Sequence, residues 1–245
     1  MLQTDWNFLN FLGALIMEPV VKHAWNLSEM EAVKLQQELS LKMIREDQLA
    51  EVNYIAGVDV AYSEHSDKLI AAIVILEASS LHIIESVVVE DTVHFPYIPG
   101  LFSFREIPPL LKAFKQIKTA PQLIVCDGQG MAHPRRFGLA SHLGVLFDIP
   151  AIGCGKTKLL GEFQDPGRTR GSSSPLVDHG EVIGAVLRTQ DHIKPIFVSI
   201  GHRISLATAC EWILKLSPKY RLPETTRQAD QLVNKVLGGL PRDQE

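Results

Sequence analysis

Hydrophobic spacing changes its period several times along the chain, and each change marks an element. Ser28-Glu29-Met30-Glu31 has the form of a capping box and opens a helix carrying Val33, Leu35, Leu39, Met43 and Ile44 to about residue 49. Three runs rich in β-branched residues follow, Tyr54 to Tyr62, Leu69 to Glu77 and Leu81 to Glu90, separated by the short polar stretches 63–68 and 78–80. They predict an antiparallel meander. Beyond it helices and strands alternate: a helix over Ile107 to Lys118, a strand from Leu123, a helix over Leu139 to Phe147 and a short strand over Pro150 to Gly153. Strands return at Glu181 to Arg188 and Lys194 to Ile200, and helices at Leu206 to Leu216 and Thr225 to Leu237. Gly161 to Gly180 reads as a loop. The order predicts an α/β layer architecture with a central mixed sheet, three antiparallel strands then parallel strands, flanked by helices.

Composition narrows the functional classes. With 245 residues and 46% hydrophobic content the chain can bury a large core, read here as one domain over 1–245, with residues 1–24 as an N-terminal extension and 240–245 as a tail. A net charge of −4 carries no general basic footprint, so any polyanion must be met by a local groove. Cys126, Cys154 and Cys210 contain no Cys-x-x-Cys pair, which favours reduced thiols and a cytoplasmic protein over a disulfide framework or a zinc knuckle. The apolar run Phe8 to Met17 is too short to span a bilayer and has no basic residue before it, so it is expected to dock on the core or cap the N-terminus. No heptad repeat points to assembly, and a monomer without membrane contact is expected.

Three acids stand out on otherwise apolar elements: Asp59 in the first predicted strand, Glu106 after the Pro-rich loop, and Asp127 at the end of Leu-Ile-Val-Cys before a Gly-x-Gly turn. Aspartate is depleted from strands, so its charge there calls for compensation. A hard divalent cation held by carboxylate oxygens is the simplest form; backbone amides or a nearby arginine are the plain alternative, equally good for one acid but weaker for three.

The motifs containing these acids resemble those of the endonuclease V family. They are Gly57-Val58-Asp59-Val60-Ala61-Tyr62, Pro96-Tyr97-Ile98-Pro99-Gly100-Leu101-Phe102-Ser103-Phe104-Arg105-Glu106, the run Asp127-Gly128-x-Gly130-x-Ala132-His133-Pro134-Arg135-Arg136 continuing through His142 to Gly144, Gly153-Cys154-Gly155-Lys156-Thr157, and Ser199-x-Gly201-His202-Arg203. The resemblance implies a ribonuclease H-like fold and a magnesium-dependent nuclease, with manganese as a substitute. Such an enzyme recognises deaminated adenine, as deoxyinosine, and cuts the second phosphodiester bond on its 3′ side, leaving 3′-hydroxyl and 5′-phosphate ends in DNA repair. By the same resemblance Asp59, Glu106 and Asp127 are the metal-binding acids, Lys156 lies near the attacking water or scissile phosphate, and His202 organises metal or water. Capping of the next helix is an equal alternative for that histidine. Gly-Cys-Gly-Lys-Thr is not a phosphate-binding P-loop, because Pro150 stands where its first glycine is required.

Rigid prolines at 96 and 99 would present Tyr97 and Ile98 as a wedge between bases, the family's use of this motif; a Pro-rich turn with Tyr97 on the core is the bland alternative. Gly100, Leu101, Gly128 and Gly130 are placed to line a base pocket by close backbone approach. His133, Arg135, Arg136 and His142 form a basic cluster expected to contact phosphates, the competing expectation being arginines paired with the surplus acids. The partner expected is DNA containing deoxyinosine, with inosine-containing RNA as an alternative. Another ribonuclease H-like nuclease, a non-catalytic nucleic-acid module and a small-molecule phosphatase are the other classes considered.

Overall fold

The computed structural model describes residues 17–239. The apolar run from Phe8 therefore lies, except for Met17, outside the described residues, as does the tail. The elements are α1 (Glu29–Ser40), β1 (Tyr54–Tyr62), β2 (Lys68–Glu77), β3 (Ile83–Thr92), α2 (Phe102–Phe114), β4 (Leu123–Asp127), α3 (Leu139–Phe147), β5 (Ala151–Gly155), β6 (Ser173–Asp178), β7 (Glu181–Leu187), β8 (Ile196–His202), α4 (Leu206–Leu216) and α5 (Glu224–Gly239). The strands form one mixed sheet in the order β3-β2-β1-β4-β5-β8-β7-β6. β1, β2 and β3 make the antiparallel meander, and β4 and β5 add in parallel to β1. β8, β7 and β6 extend the sheet antiparallel. This is the ribonuclease H-like arrangement expected.

Alternation along the strands divides the core. Ala56, Val58, Ile124 and Cys126 face α2 and α3 in one apolar cluster, while Ile55, Leu123 and Val125 face the other side with residues of α4. α5 covers Ile70 and Ala72 on β2 through Val233. It also lies on β1 at Gly57, where a Cβ would come 2.3 Å from the Thr225 carbonyl oxygen. Only glycine admits a helix backbone so close to a strand.

Three expectations shift. α1 stops at Ser40 although its capping box forms as expected, because the following segment pairs with the end of β8: Arg203 donates to the Ile44 carbonyl at 2.7 Å and Gln48 to the Arg203 carbonyl at 3.0 Å. α2 starts at Phe102, five residues before the expected Ile107, and runs through Pro108 and Pro109. Burial of Phe104, Ile107, Leu110 and Phe114 outweighs the missing amide donors, and Glu106 thereby becomes a helix residue. The expected loop 161–180 contains β6, an edge strand with Pro175, joined to β7 by a tight turn at His179 and Gly180, both at positive φ.

Candidate active site

Asp59 and Asp127 sit side by side because of the sheet register. Val58 pairs with Cys126 across the parallel β1–β4 ladder, so the next residue on each strand is an acid, and both alternate onto the face covered by α5. Parallel neighbours lie ~4.8 Å apart, close enough for two carboxylates to share one ion. α5 supplies a third acid, Asp230, and one oxygen from each of Asp59, Asp127 and Asp230 lies within 4.8 Å of the others. Asp230 was not among the sequence candidates. It looks like one more polar residue on a surface helix, and its signal is only its place between Thr226 and Val233, i−4 and i+3 on the buried stripe.

The cluster carries more negative charge than its surroundings balance. Burial, then the charge of Asp127, pushes Asp59 from its ordinary 3.8 up to about 7. Glu106, on α2 and 4% exposed, is pushed well above the carboxylate range by burial first and by Asp59 second. Tyr62 donates to it at 3.3 Å, and the Arg105 guanidinium lies 4.7 Å from the centre of the Tyr62 ring. The Tyr62 hydroxyl is itself shifted up by burial and the Glu106 charge. Lys156, just past β5, reaches Asp127 at 2.7 Å and Asp230 at 3.2 Å. Burial pulls its pKa down, but these two ion pairs outweigh it and leave it above the ordinary lysine value. An all-oxygen donor set of three close carboxylates, Asp59 among them pushed up by burial and by its neighbour's charge, fits a hard cation such as magnesium or manganese, and it fits no soft metal.

Beside the acids opens a cleft of about 480 Å³, lined by Tyr97 to Gly100, Phe102, Asp127, Gly128, His133, Leu139 and residues 155–159. Tyr97 is 69% exposed and meets the Phe102 ring edge-on at 6.3 Å, so it does not pack on the core, while Ile98 is half-buried against the cluster of Phe95, Leu101 and Phe104. Pro96 and Pro99 are exposed beside them. Gly100 and Gly128 line the cleft. Leu101 and Gly130 do not. Leu101 is buried with Phe95 and Phe104, and Gly130 is wedged against β8, where a Cβ would lie 2.1 Å from the Ile200 carbonyl oxygen.

Four further expectations are corrected. His202 does not reach the acids. It pairs across the ladder with Ala151 at the start of β5, whereas Asp127 pairs with Cys154 near its end. Its Nδ1 accepts from the Ile44 amide at 3.2 Å and its Nε2 contacts Asp148 at 3.1 Å, so it ties the segment after α1 to the end of α3 and caps no helix. His142 is fully buried, its ring 3.0 Å from the Ser103 hydroxyl and 2.9 Å from His23, and burial drives its pKa well below the ordinary value. A neutral core histidine contacts no phosphate. Arg136 is occupied by Asp178 at 2.8 Å and Glu181 at 2.7 Å, the acid pairing foreseen as the alternative. Arg135 and His133 both bond the Gly100 carbonyl oxygen, at 2.7 and 3.0 Å. Arg170, in the stretch before β6, is likewise turned inward and spent on the carbonyls of Thr189, Ser217 and Leu214.

With this geometry in place, comparison with known proteins is decisive. The family model for endonuclease V matches residues 34–231. The chain belongs to the endonuclease V family. Its relatives in that family include endonuclease V of Rippkaea orientalis, 51% identical over 83% of this chain and 89% of that protein, and endonuclease V of Nostoc punctiforme, 47% identical over 86% and 96%. Among solved structures, endonuclease V of Streptomyces avermitilis superposes with a TM-score of 0.85 at 46% identity, covering 89% of this chain and 96% of that one. Endonuclease V of Ciona intestinalis, bound to a 24mer DNA containing an inosine followed by a ribo-adenosine, superposes at 0.76 with 30% identity, covering 85% and 97%. Membership makes this chain a nuclease, and its acid cluster is consistent with metal binding. No helix among the described residues is long and apolar enough to cross a membrane.

Proposed function

We propose that this enzyme is a magnesium-dependent endonuclease that recognises deoxyinosine in DNA and hydrolyses the second phosphodiester bond on its 3′ side, leaving 3′-hydroxyl and 5′-phosphate ends, as a step of DNA repair. The observation that carries the reading is the convergence of Asp59 and Asp230 on Asp127, which lines a cleft whose wall also includes Tyr97, Ile98 and Pro99 of the Pro-Tyr-Ile-Pro segment. Asp59, Asp127 and Asp230 would hold the cation, with Glu106 alongside. When bound it would polarise the scissile phosphate, acidify the attacking water and stabilise the departing 3′ oxygen. Lys156 places a positive charge against Asp127 on the cleft wall, where it can also face a developing phosphate charge. Tyr97 and Ile98 fill the gap left in the stack when the base is extruded, which offsets an unstacking cost of roughly a few kcal/mol. Phe102 and Leu159, both partly exposed on the cleft wall, offer apolar surface to the purine, and the backbone at Gly100 and Gly128 approaches its edge. Hypoxanthine carries an oxo group where adenine has an amine and lacks the amine of guanine, so a pocket that donates to the oxygen and leaves no acceptor for an amine selects it.

The test is cleavage of end-labelled single- and double-stranded DNA containing one deoxyinosine, with magnesium, manganese or EDTA, by wild type and Asp127→Ala. A metal-dependent nick one nucleotide 3′ of the inosine, absent in the variant, is expected. Uncut DNA would overturn the reading. The ribo-adenosine in the complex of the Ciona relative brings in a second substrate, inosine-containing RNA, for the same assay.

A further inference from the structure

Three donors from two separate parts of the chain converge on one carbonyl oxygen of the recognition loop. Gln36 of α1 donates to the Gly100 carbonyl at 3.0 Å, the Arg135 guanidinium at 2.7 Å, and His133 Nε2 lies 3.0 Å away. The donors are themselves locked. Gln36, 1% exposed, also donates to the Phe137 carbonyl at 2.7 Å and accepts from Arg135 Nε. His133 Nδ1 accepts from the Arg135 amide at 3.2 Å, which leaves Nε2 as the protonated, donating nitrogen. Gly100 has φ +81, and a Cβ there would come 2.6 Å from Arg135 Nη2, so the carbonyl is held in an orientation only glycine takes up in that space. The next residue, Leu101, is sunk in the core, while Tyr97, three residues before Gly100, is exposed. The loop is therefore held on both sides of its tip, by buried Phe95, whose carbonyl accepts from Arg105 at 3.1 Å, and by the grip on Gly100 next to buried Leu101, with Tyr97 free between them.

We infer that Gln36 and Arg135 are positioning residues of the wedge: by gripping the Gly100 carbonyl they set the angle at which Tyr97 and Ile98 meet the duplex, and Arg135 is not a phosphate contact. The inference rests on the proposed recognition of an extruded base and deepens it. A misplaced wedge impairs strand opening and leaves the acids untouched. Its cost falls more heavily on duplex substrate than on a single strand, in which no partner base has to be parted and only the pocket edge at Gly100 is disturbed.

The experiment compares Gln36→Leu, Arg135→Lys and Arg135→Ala with wild type on inosine-containing duplex and single-stranded DNA, the Ala variant serving for the salt dependence of binding. It also follows hydrogen exchange of the amides of residues 95–101 in the free protein. Arg135→Lys keeps the charge but cannot serve Gln36 and Gly100 together. Gln36→Leu and Arg135→Lys are both expected to lose about tenfold or more in kcat/KM on duplex relative to single strand, since ~1 Å of misplacement can cost ~100-fold. KM should change more than kcat, the salt dependence of binding should stay at the wild-type slope, and exchange in 95–101 should speed up without change in the sheet. A wild-type-like Arg135→Lys together with a shallower salt slope for Arg135→Ala would mark a phosphate contact and overturn the inference. Equal losses on both substrates, or unchanged exchange in 95–101, would overturn it as well. The exchange measurement needs no substrate, so failure of the wild type to cut inosine DNA would count against the proposed function and leave this result standing on its own.

Discussion

Gly57→Ala should couple packing to catalysis. The new Cβ would sit 2.3 Å from the Thr225 carbonyl oxygen, 2.5 Å from its carbon and 2.8 Å from its Cα, all of them backbone atoms that no side-chain rotation can move. Ordinary contact begins near 3.4 Å, so the start of α5 must retreat from β1 by about 1 Å. Overpacking of this kind costs about 1–3 kcal/mol. For a protein of this size that lowers the melting temperature by about 2–12 °C. Asp230 rides on the same helix, a little over one turn beyond Thr225, so the shift also opens the trio of acids. A displacement of ~1 Å in a catalytic group can cost ~100-fold in rate. Single-turnover nicking of inosine DNA, titrated with magnesium and run beside thermal melts, reads both effects. The expected outcome is a lower melting temperature, a higher magnesium midpoint and a slower saturated rate. A variant that melts lower yet keeps the wild-type magnesium midpoint and rate would refute the claim that this helix–strand contact places Asp230.

Asp230→Ala should abolish nicking and also the thermal stabilisation that magnesium gives the wild type, since binding to the folded state alone raises its stability; a melt with and without magnesium checks it. Arg136→Ala removes the pairs to Asp178 and Glu181, and should cost about 2 kcal/mol of stability in urea unfolding while leaving the salt dependence of DNA binding unchanged. Burial, then the Arg135 charge, lowers His133 to about 4, against an ordinary 6.5. The unfolded chain therefore takes up that proton first, and the stability advantage of wild type over His133→Gln should hold above pH ~6.5 and shrink by up to about 3 kcal/mol as the pH falls to ~4. Paired urea titrations at pH 7.5 and 4.5 read that difference, and a constant gap would contradict a buried neutral His133.

Local pattern was enough for much of this protein. The period-2 and period-3.6 runs place the meander, α3 and α4 within a residue or two, because those segments bury the faces that their own spacing defines. The acids at 59, 106 and 127 stand out by themselves, since a lone carboxylate on an apolar element needs compensation wherever the fold puts it. Tertiary structure decided the rest. Partners distant in sequence end α1 at Ser40, draw α2 back to Phe102 across two prolines and turn a Gly- and Ser-rich stretch into β6, and none of these partners is visible in a local window. Asp230 enters the site because α5 lies on Gly57, while His202 leaves it because the antiparallel β5–β8 register carries it to the far end of the ladder. The basic cluster likewise becomes a set of internal clamps. Charge and type are written residue by residue, but which groups face one another depends on strand register and helix docking, and those are set by contacts between parts of the chain far apart in sequence.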